Sequence, residues 1–368
     1  MIGARTGVGT FTTEVLRRIP RDGLEVSAFA VTRRGADAAA ERLPPGVRMH
    51  RRPMVARPLR ALWSHTDHPV IERWTGPVDV VWGPNFVVPP TAHAARVVTV
   101  HDLTCVHFPA MCTRDTLQVP ALLRRAIADG AWIHTVSRSV ADDVVEEFGA
   151  DPERVVAVPN GGPEPRTTDD VAALARRGRR LAGGESYVTF VGTLEPRKDV
   201  PGLVRAFDLL AGDRSDLRLV LAGPDGWGAA EVGEAIAASP HRDRIVRTGW
   251  LEDPDRDAII AGASAFAYPS RLEGFGLPPL EAMALDTPVV ATPVGALPEV
   301  LADAALWCRP DDPASLAASL ATVLDDEATV ARLVALGRAR VERYSWDATA
   351  DALVDLFARA AGRASTLP

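Results

Sequence analysis

The chain has 368 residues, 47% hydrophobic and 24% charged, which is the size and composition of a globular protein with two domains. Its net charge of −7 at pH 7 argues against nucleic acid as a partner. It contains no apolar run of the roughly 18 residues that cross a membrane, and its three cysteines form no paired motif, which favours a reducing cytoplasm.

Short apolar runs rich in β-branched residues alternate with helix-like segments along most of the chain. Runs of this kind, bounded by turn residues, are typical of buried parallel strands. Intervening helices, predicted for example over 115–129, 138–148 and 200–211, turn these strands into βαβ units. The predicted strands cover 24–31, 78–82, 95–100, 132–136, 154–159, 187–192, 217–223, 244–249, 264–270 and 287–292.

The first segment, GARTGVGTFTTEV, predicts a glycine-rich loop that runs into a helix. Gly7 and Gly9, just before the predicted helix, suit close approach by a phosphate, although Thr12 stands where the dinucleotide fingerprint has its third glycine. A doubly wound domain normally has an apolar strand before such a loop, and almost nothing precedes Gly3 here. We therefore expect the first N-terminal strand to be missing and Met1 to be internal to the native reading frame.

Two more features of the N-terminal half bear on function. Residues 51–63, RRPMVARPLRALW, are locally basic, which fits either a weak membrane-surface association or, as we favour, a solvated connection. The sequence VHDL places His101 at the end of a predicted strand, the edge at which ligands bind in doubly wound sheets. His107 and His134 are predicted to be packing or surface residues.

The Gly- and Pro-rich sequence NGGPEPRTTDD separates the first five predicted strands from the second five and predicts an interdomain linker. The predicted fold class is therefore α/β, with two doubly wound Rossmann-like domains facing each other across a cleft. We predict an N-terminal domain over 1–165 and a C-terminal domain over 184–344. A final helix over 346–362 is expected to pack back on the N-terminal domain.

The sequence FVGTLEPRKDV follows a predicted strand and places Arg197 and Lys198 on the loop before a helix. Adjacent cations at the carboxyl end of a parallel strand can neutralise a diphosphate leaving group. The alternative is that both are ordinary solvent-facing charges. Lys198 is, however, the only lysine among 41 Lys and Arg residues, which favours a functional role.

Residues 273–284, EGFGLPPLEAMA, hold two glutamates around a glycine-rich turn and a Pro-Pro pair. The glycines permit a sharp turn and the prolines suit helix entry, so we predict a first helical turn over 280–284. A helix N-terminus favours anions. Glu281, close to this N-terminus, can accept hydrogen bonds from the two adjacent hydroxyls of a ribose, and Glu273 can reach another part of the same ligand. The alternative is that Glu281 only complements the helix dipole.

Taken in order, these motifs make the chain resemble the retaining glycosyltransferases of family 4, which have the GT-B fold, and mannosyltransferase-type members in particular. The resemblance covers nearly the whole length. It is carried by GVGTFTTEV, VHDL, VSRSVADDV…VPNGG, FVGTLEPRKDVPGLVRAF and the segment from GWLEDPDRD through SRLEGFGLPPLEAMA to GALPEV.

The resemblance implies a role for each matching residue. In the C-terminal domain Glu281 would bind the ribose hydroxyls of a sugar nucleotide, Glu273 would contact the transferred sugar, and Arg197 and Lys198 would hold the diphosphate. His101 would lie by the transferred sugar and the Gly7–Gly9 loop would approach the phosphates. Backbone contacts to the donor would come from Gly274, Phe275, Gly276 and Leu277, and contacts to the base from Trp250 and Leu251.

The implied activity is transfer of a sugar, mannose first, from a sugar nucleotide to a glycan or lipid-linked acceptor with retention of configuration. No cofactor and no metal are expected. The sequence DPD at 253–255 has the Asp-x-Asp form of a metal site but is interpreted as a capping and turn segment before a helix. The implied location is the cytoplasm, or the inner face of the membrane. Alternatives are another GT-B activity, such as a disaccharide synthase on a soluble acceptor, and a non-catalytic sugar-nucleotide-binding protein.

Overall fold

The computed structural model describes residues 7–21, 23–32, 36–50, 56–63, 65–164 and 167–363. The chain divides into two compact units. Unit 1 comprises Met1–Gly161 and Ser345–Pro368, and unit 2 comprises Gly162–Tyr344. The division falls within the Gly- and Pro-rich sequence NGGPEPRTTDD. Met1 and Gly3, on which the expectation of a missing first strand rests, lie outside the described residues.

The described residues form twelve strands and sixteen α-helices. The strands are β1 (Val26–Phe29), β2 (Val47–His50), β3 (Val80–Gly83), β4 (Ala95–Val100), β5 (Trp132–Thr135), β6 (Val155–Ala157), β7 (Tyr187–Val191), β8 (Arg218–Ala222), β9 (Ile245–Gly249), β10 (Ala265–Tyr268), β11 (Val289–Ala291) and β12 (Ala305–Trp307). The helices are α1 (Gly7–Arg18), α2 (Ala36–Ala40), α3 (Ala56–Trp63), α4 (Glu72–Thr75), α5 (Thr104–His107), α6 (Val119–Ala128), α7 (Arg138–Phe148), α8 (Thr168–Ala182), α9 (Val200–Ala211), α10 (Ala229–Ala238), α11 (Asp253–Ala261), α12 (Leu277–Ala284), α13 (Leu297–Leu301), α14 (Pro313–Asp325), α15 (Glu327–Val341) and α16 (Trp346–Ala360).

Unit 1 contains a parallel sheet of order β3-β4-β5-β6 and a separate parallel pair, β1-β2. Apolar residues of β4 and β5 pack against helices α6 and α7 and form the core of this sheet. The apolar runs of these strands predict that the strands are buried. Helix α16 packs on α1, where Arg18 pairs with Asp347 at 2.7 Å and Arg21 with Asp351 at 2.8 Å. The C-terminal helix is therefore part of the same compact unit as the first helix.

Unit 2 contains one parallel sheet of order β12-β11-β10-β7-β8-β9. The chain thus winds outward from β7 in one direction and from β10 in the other, which is the doubly wound Rossmann order. Strands β7 and β10 are neighbours in this sheet, and the crevice beyond their carboxyl ends is the topological switch point. The predicted α/β fold class is confirmed.

The structure corrects several local predictions. Helix α12 begins at Leu277, three residues earlier than predicted, because prolines are tolerated in the first helical turn. Helix α11 begins at Asp253, so DPD is the first turn of this helix and not a segment before it. Likewise α1 begins at Gly7, which places Gly7 and Gly9 inside the helix and not on a loop before it.

Part of the basic segment 51–63 also differs from prediction. Residues 51–55 lie outside the described residues, and Ala56–Trp63 forms helix α3. Trp63 is buried, and its indole N–H donates to Pro69 O at 3.0 Å. An apolar ring of this size lowers the free energy of the folded state when it is buried. The end of this segment is therefore a short helix that Trp63 anchors, with Pro58, Ala61 and Leu62 exposed, and not an irregular connection.

Candidate functional site

Two loops of unit 2 place charged residues at the carboxyl ends of β7 and β10. The loop after β7 forms a short 3-10 turn over Pro196–Lys198, which ends at Asp199 in the left-handed conformation. The loop after β10 leads to Glu273. Because β7 and β10 are adjacent, the two loops meet at the switch point of the sheet.

A buried ion cluster joins these loops. The carboxylate Oε1 of Glu273 accepts from Lys198 Nζ at 2.5 Å and lies 2.9 Å from a guanidinium nitrogen of Arg197. Arg197 also pairs with Glu195 at 3.0 Å and donates to the backbone oxygen of Leu272 at 3.1 Å. We call Glu195, Arg197, Lys198 and Glu273 the Glu273 cluster. The structure thus brings together three of the residues that the sequence motifs single out.

The charges of the cluster are set by burial and by the neighbouring ions. Burial favours the neutral acid, but Arg197 and Lys198 outweigh it and lower the pKa of Glu273 to about 2. Burial, followed by repulsion from Arg197, lowers the pKa of Lys198, whereas Glu273 acts in the opposite direction. A carboxylate with such a low pKa is a weak base. Glu273 is therefore suited to accept hydrogen bonds and not to remove protons.

Arg271 holds the two loops of this site together. Its backbone N–H donates to Arg197 O at 2.7 Å, and its guanidinium donates to Pro196 O at 3.0 Å and to Asp199 at 3.0 Å. These bonds lie on both sides of the Arg197–Lys198 pair, so they fix the conformation of the cationic loop. Arg271 was not predicted as a site residue, because nothing in its local sequence pattern distinguishes it from a surface arginine.

The glycine-rich turn after Glu273 packs against α13 and against Tyr344, which follows α15. Gly276 has φ of 101°, and a Cβ atom there would lie 2.6 Å from Leu297 Cδ2. Phe275 is buried, and its ring lies edge-on against that of Tyr344. The Phe275 side chain thus anchors the turn, which leaves its backbone, with that of Gly274 and Leu277, as the part suited to contact a ligand.

Glu281 lies in the second turn of α12, half-buried, with a carboxylate oxygen 3.8 Å from Arg256 of α11. Arg256 also pairs with Asp253 at 2.9 Å and Asp257 at 3.0 Å. The dipole effect is confined to the first turn of a helix, so it accounts poorly for a glutamate at this position. Trp250, just after β9, is 45% exposed, and Leu251 beside it is half-buried.

In unit 1, His101 directly follows β4 and packs edge-on against Phe11 and Phe86. Its Nε2 lies 2.8 Å from the backbone oxygen of Pro84. Because a carbonyl oxygen only accepts, Nε2 carries the proton and Nδ1 is the acceptor nitrogen. Burial lowers the pKa of His101, which favours this neutral form. His134, by contrast, is fully buried and bonds to Thr99 and Val158.

Two kinds of feature, a metal-ligand group and a membrane-spanning helix, are absent from the described residues. Within the described ranges, no three or more His, Cys, Asp or Glu side chains are grouped as metal ligands would be. Nor does any helix in the described part of the chain have the length and apolar character to cross a membrane.

Comparison with known proteins places this site in a family context. Residues 173–340 match the family model described as glycosyl transferases group 1, and residues 6–161 match that of the glycosyl transferase 4-like domain. The O-antigen chain mannosyltransferase B of Escherichia coli is 28% identical over 362 residues, covering 93% of both chains. The D-inositol 3-phosphate glycosyltransferase of Segniliparus rotundus is 34% identical over 74% of this chain and 62% of its own.

Solved structures show the same fold. WaaG, a glycosyltransferase involved in lipopolysaccharide biosynthesis, superimposes with a TM-score of 0.74 at 17% identity over 96% of both chains. HepE of Anabaena, crystallised with UDP and glucose, has a TM-score of 0.72 at 18% identity over 96% of both chains. The chain is therefore a glycosyltransferase, a hexosyltransferase, and it has the GT-B fold.

Proposed function

We propose that this enzyme transfers a hexose, with mannose as the first candidate, from a sugar nucleotide to a glycan or lipid-linked acceptor with retention of anomeric configuration. The observation that carries the proposal is the Glu273 cluster at the switch point of the unit 2 sheet, where doubly wound folds bind nucleotides. The cluster combines two cations with one carboxylate of very low pKa, which suits a ligand with a diphosphate beside a polyhydroxylated ring.

The two cations account for leaving-group departure. When the bond between the sugar and the diphosphate breaks, negative charge develops on the diphosphate, and fixed cations in a buried site stabilise it strongly. Arg197 and Lys198 are held in place by Glu273 and the surrounding loops before any ligand arrives. No protonation of the leaving group is then needed, which agrees with the absence of an acidic proton on Glu273 or His101 near neutral pH.

The remaining roles follow from the hydrogen-bonding character of each group. Glu273, as a carboxylate, would accept from hydroxyls of the transferred sugar, and neutral His101 offers Nδ1 as an acceptor for a sugar hydroxyl. Glu281 would accept from the ribose hydroxyls. The donor would be supported by backbone N–H groups of Gly274, Phe275, Gly276 and Leu277. Its phosphates would be contacted by backbone N–H groups near Gly7 and Gly9. Its base would be contacted by Trp250 and Leu251.

For retention we propose front-face transfer, in which an oxygen of the departing diphosphate accepts the proton of the attacking hydroxyl. The attacking hydroxyl forms the new glycosidic bond on the face from which the diphosphate leaves. Glu273 is a poor nucleophile in this arrangement, because its carboxylate is already engaged by Lys198 and Arg197. A glycosyl adduct trapped on any carboxylate of the enzyme would contradict this mechanism.

We further propose that the reaction needs neither a metal nor a cofactor. The segment DPD, which has the Asp-x-Asp form of a metal site, is the first turn of α11, where Asp253 pairs with Arg256 and Asp255 with Arg177. Carboxylates already neutralised by arginines are poor ligands for a divalent cation. Turnover that persists in EDTA is the expected result, and loss of turnover restored by added Mg²⁺ or Mn²⁺ would contradict the proposal.

Mannose is supported by the similarity to the E. coli mannosyltransferase over nearly the full length of both chains. A second candidate, a soluble phosphorylated acceptor, is favoured by the D-inositol 3-phosphate glycosyltransferases, which are up to 34% identical over part of this chain. Other soluble acceptors, as in disaccharide synthases, and donor binding without turnover are further alternatives. Only a lipid-linked acceptor implies weak association with the inner face of a membrane.

The deciding experiment measures thermal stabilisation and slow hydrolysis with GDP-, UDP- and dTDP-sugars, GDP-mannose first. One donor should stabilise the wild type and be hydrolysed, and Glu281→Ala should lose most of both effects. Glu327→Ala, an exposed glutamate in the first turn of α15, is the matched control and should behave like the wild type. If no donor stabilises the wild type or is hydrolysed, the proposal fails. If Glu281→Ala binds the donor normally, only the ribose role fails.

A further inference from the structure

A buried tyrosine lies directly beneath the cationic loop. Tyr268, the last residue of β10, is fully buried, and its ring stacks between Phe190 and Phe266 at centroid distances of 6.3 Å and 6.0 Å. Its hydroxyl oxygen lies 2.5 Å from Lys198 Nζ. The three rings belong to neighbouring strands of a closely packed sheet, so the position of this hydroxyl is fixed by the core of unit 2.

Tyr268 complements the ammonium group of Lys198 through its hydroxyl. The hydroxyl oxygen accepts a hydrogen bond from Lys198 Nζ. Burial, with the nearby charge of Glu273, raises the pKa of Tyr268 well above its ordinary value. The group is therefore a neutral phenol, which supplies an acceptor without adding a second negative charge.

Together, Tyr268 and Glu273 determine where the ammonium group points. An ammonium has three N–H donors, and Lys198 uses one on Glu273 and one on Tyr268. With two donors fixed, the direction of the third is set by the tetrahedral geometry of the nitrogen. Glu273 alone would leave the group free to rotate about that one bond.

We propose that Tyr268 is the positioning residue for Lys198: its buried hydroxyl fixes the ammonium so that the third N–H is presented to an oxygen of the donor diphosphate. This inference rests on the proposed function of Lys198. It adds a residue that does not touch the donor and acts only through the lysine. Tyr268 is therefore expected to matter for the charge that develops as the diphosphate leaves more than for ground-state binding.

The test replaces Tyr268 by phenylalanine, which keeps the ring and removes only the hydroxyl. Tyr187→Phe is the matched control, since Tyr187 is an equally buried tyrosine of the same sheet whose hydroxyl donates instead to Ile259 O at 2.7 Å. In donor hydrolysis, kcat of Tyr268→Phe should fall roughly 10- to 100-fold with a much smaller change in KM, as for a lost hydrogen bond to a charged group. Tyr187→Phe should retain wild-type kcat.

A second readout does not depend on turnover. Lys198 is the only lysine, so protein labelled with ¹³Cε-lysine gives a single side-chain signal whose shift can be titrated with pH. Removal of an acceptor destabilises the charged form, so the titration of Tyr268→Phe should move to lower pH while that of Tyr187→Phe coincides with wild type. Coincidence of all three titrations would overturn the proposal. If no protein turns over any donor, the proposed function fails, and this titration still decides the role of Tyr268.

The reciprocal variant covers a Tyr268→Phe protein that does not fold. The chain has three tyrosines, so ¹³Cζ-tyrosine labelling gives three signals. Lys198→Met should shift the Tyr268 signal and leave those of Tyr187 and Tyr344 in place. An unchanged Tyr268 signal would overturn the proposal.

Discussion

Glu273 and Lys198 form a buried ion pair, with Oε1 and Nζ 2.5 Å apart, although they come from loops that follow different strands. Strands β8, β9 and β10 and helices α9, α10 and α11 lie between them in the sequence. They meet because β7 and β10 are neighbours in the doubly wound sheet. In this enzyme the acid expected to contact the sugar and the cations expected to hold the diphosphate therefore form one electrostatic unit.

The first prediction concerns the loss of this carboxylate. Glu273→Gln leaves Lys198 buried without its paired carboxylate, and Glu195 remains the counter-charge of Arg197. Breaking a buried pair in this way should lower the free energy of unfolding by about 3–5 kcal/mol. Donor turnover should fall at least about 100-fold. Urea unfolding and donor hydrolysis measure the two effects, and a variant with wild-type stability and activity would contradict the pairing.

The second prediction is an acid dependence. The pKa of Glu273 is lowered from 4.5 to about 2 in the folded protein, so the stability it contributes is complete above pH 4.5 and is lost as the pH falls towards 2. The difference in unfolding free energy between wild type and Glu273→Gln should accordingly shrink across this window. A difference that stays constant from pH 6 to pH 2.5 would show that the pKa of Glu273 is the same in the folded and the unfolded protein, and would contradict the pairing.

The third prediction concerns Arg271. Arg271→Ala removes the bonds to Pro196 O and Asp199 that fix the loop of Arg197 and Lys198. We expect kcat/KM for the donor to fall roughly tenfold, because the cations are no longer held in one place. Arg309→Ala, which breaks an exposed pair with Asp312 at 2.7 Å, is the control and should leave kcat/KM unchanged. Equal effects of the two substitutions would contradict a specific role for Arg271.

Much of the fold was predictable because the apolar runs of this chain are continuous and sharply bounded. Strand β4 and helices α7 and α9 have the predicted bounds. Strands β2 and β12 were missed: VRMH is half polar and ALW has only three residues, so neither gives a clear period. The early start of α12 was missed because a Pro-Pro pair was taken to precede the helix, whereas it occupies the first turn.

The candidate site was predictable only where its residues carry a local motif. Glu273, Arg197 and Lys198 were singled out by their charges beside glycine or before a helix. Tyr268 was not predicted as a site residue, because it lies in an apolar run that indicates only a buried strand. The run does not reveal that its hydroxyl contacts a lysine from the loop after the neighbouring strand. Such a contact depends on strand order, and strand order is a property of the tertiary fold.

The last prediction concerns Gly295, which supports Glu273 from the loop after β11. Its φ is 52°, and a Cβ atom there would lie 2.3 Å from the backbone oxygen of Glu273. Gly295→Ala should therefore lower the free energy of unfolding by about 1–3 kcal/mol through strain and displacement of the Glu273 backbone, and it should also reduce donor turnover. Gly233→Ala is the control, because a Cβ atom at this helical position of α10 meets nothing within 4 Å. Gly233→Ala should raise the free energy of unfolding by about 0.5–1 kcal/mol and leave turnover unchanged. A Gly295→Ala enzyme with the same stability and turnover as Gly233→Ala would show that Glu273 is not held by this contact.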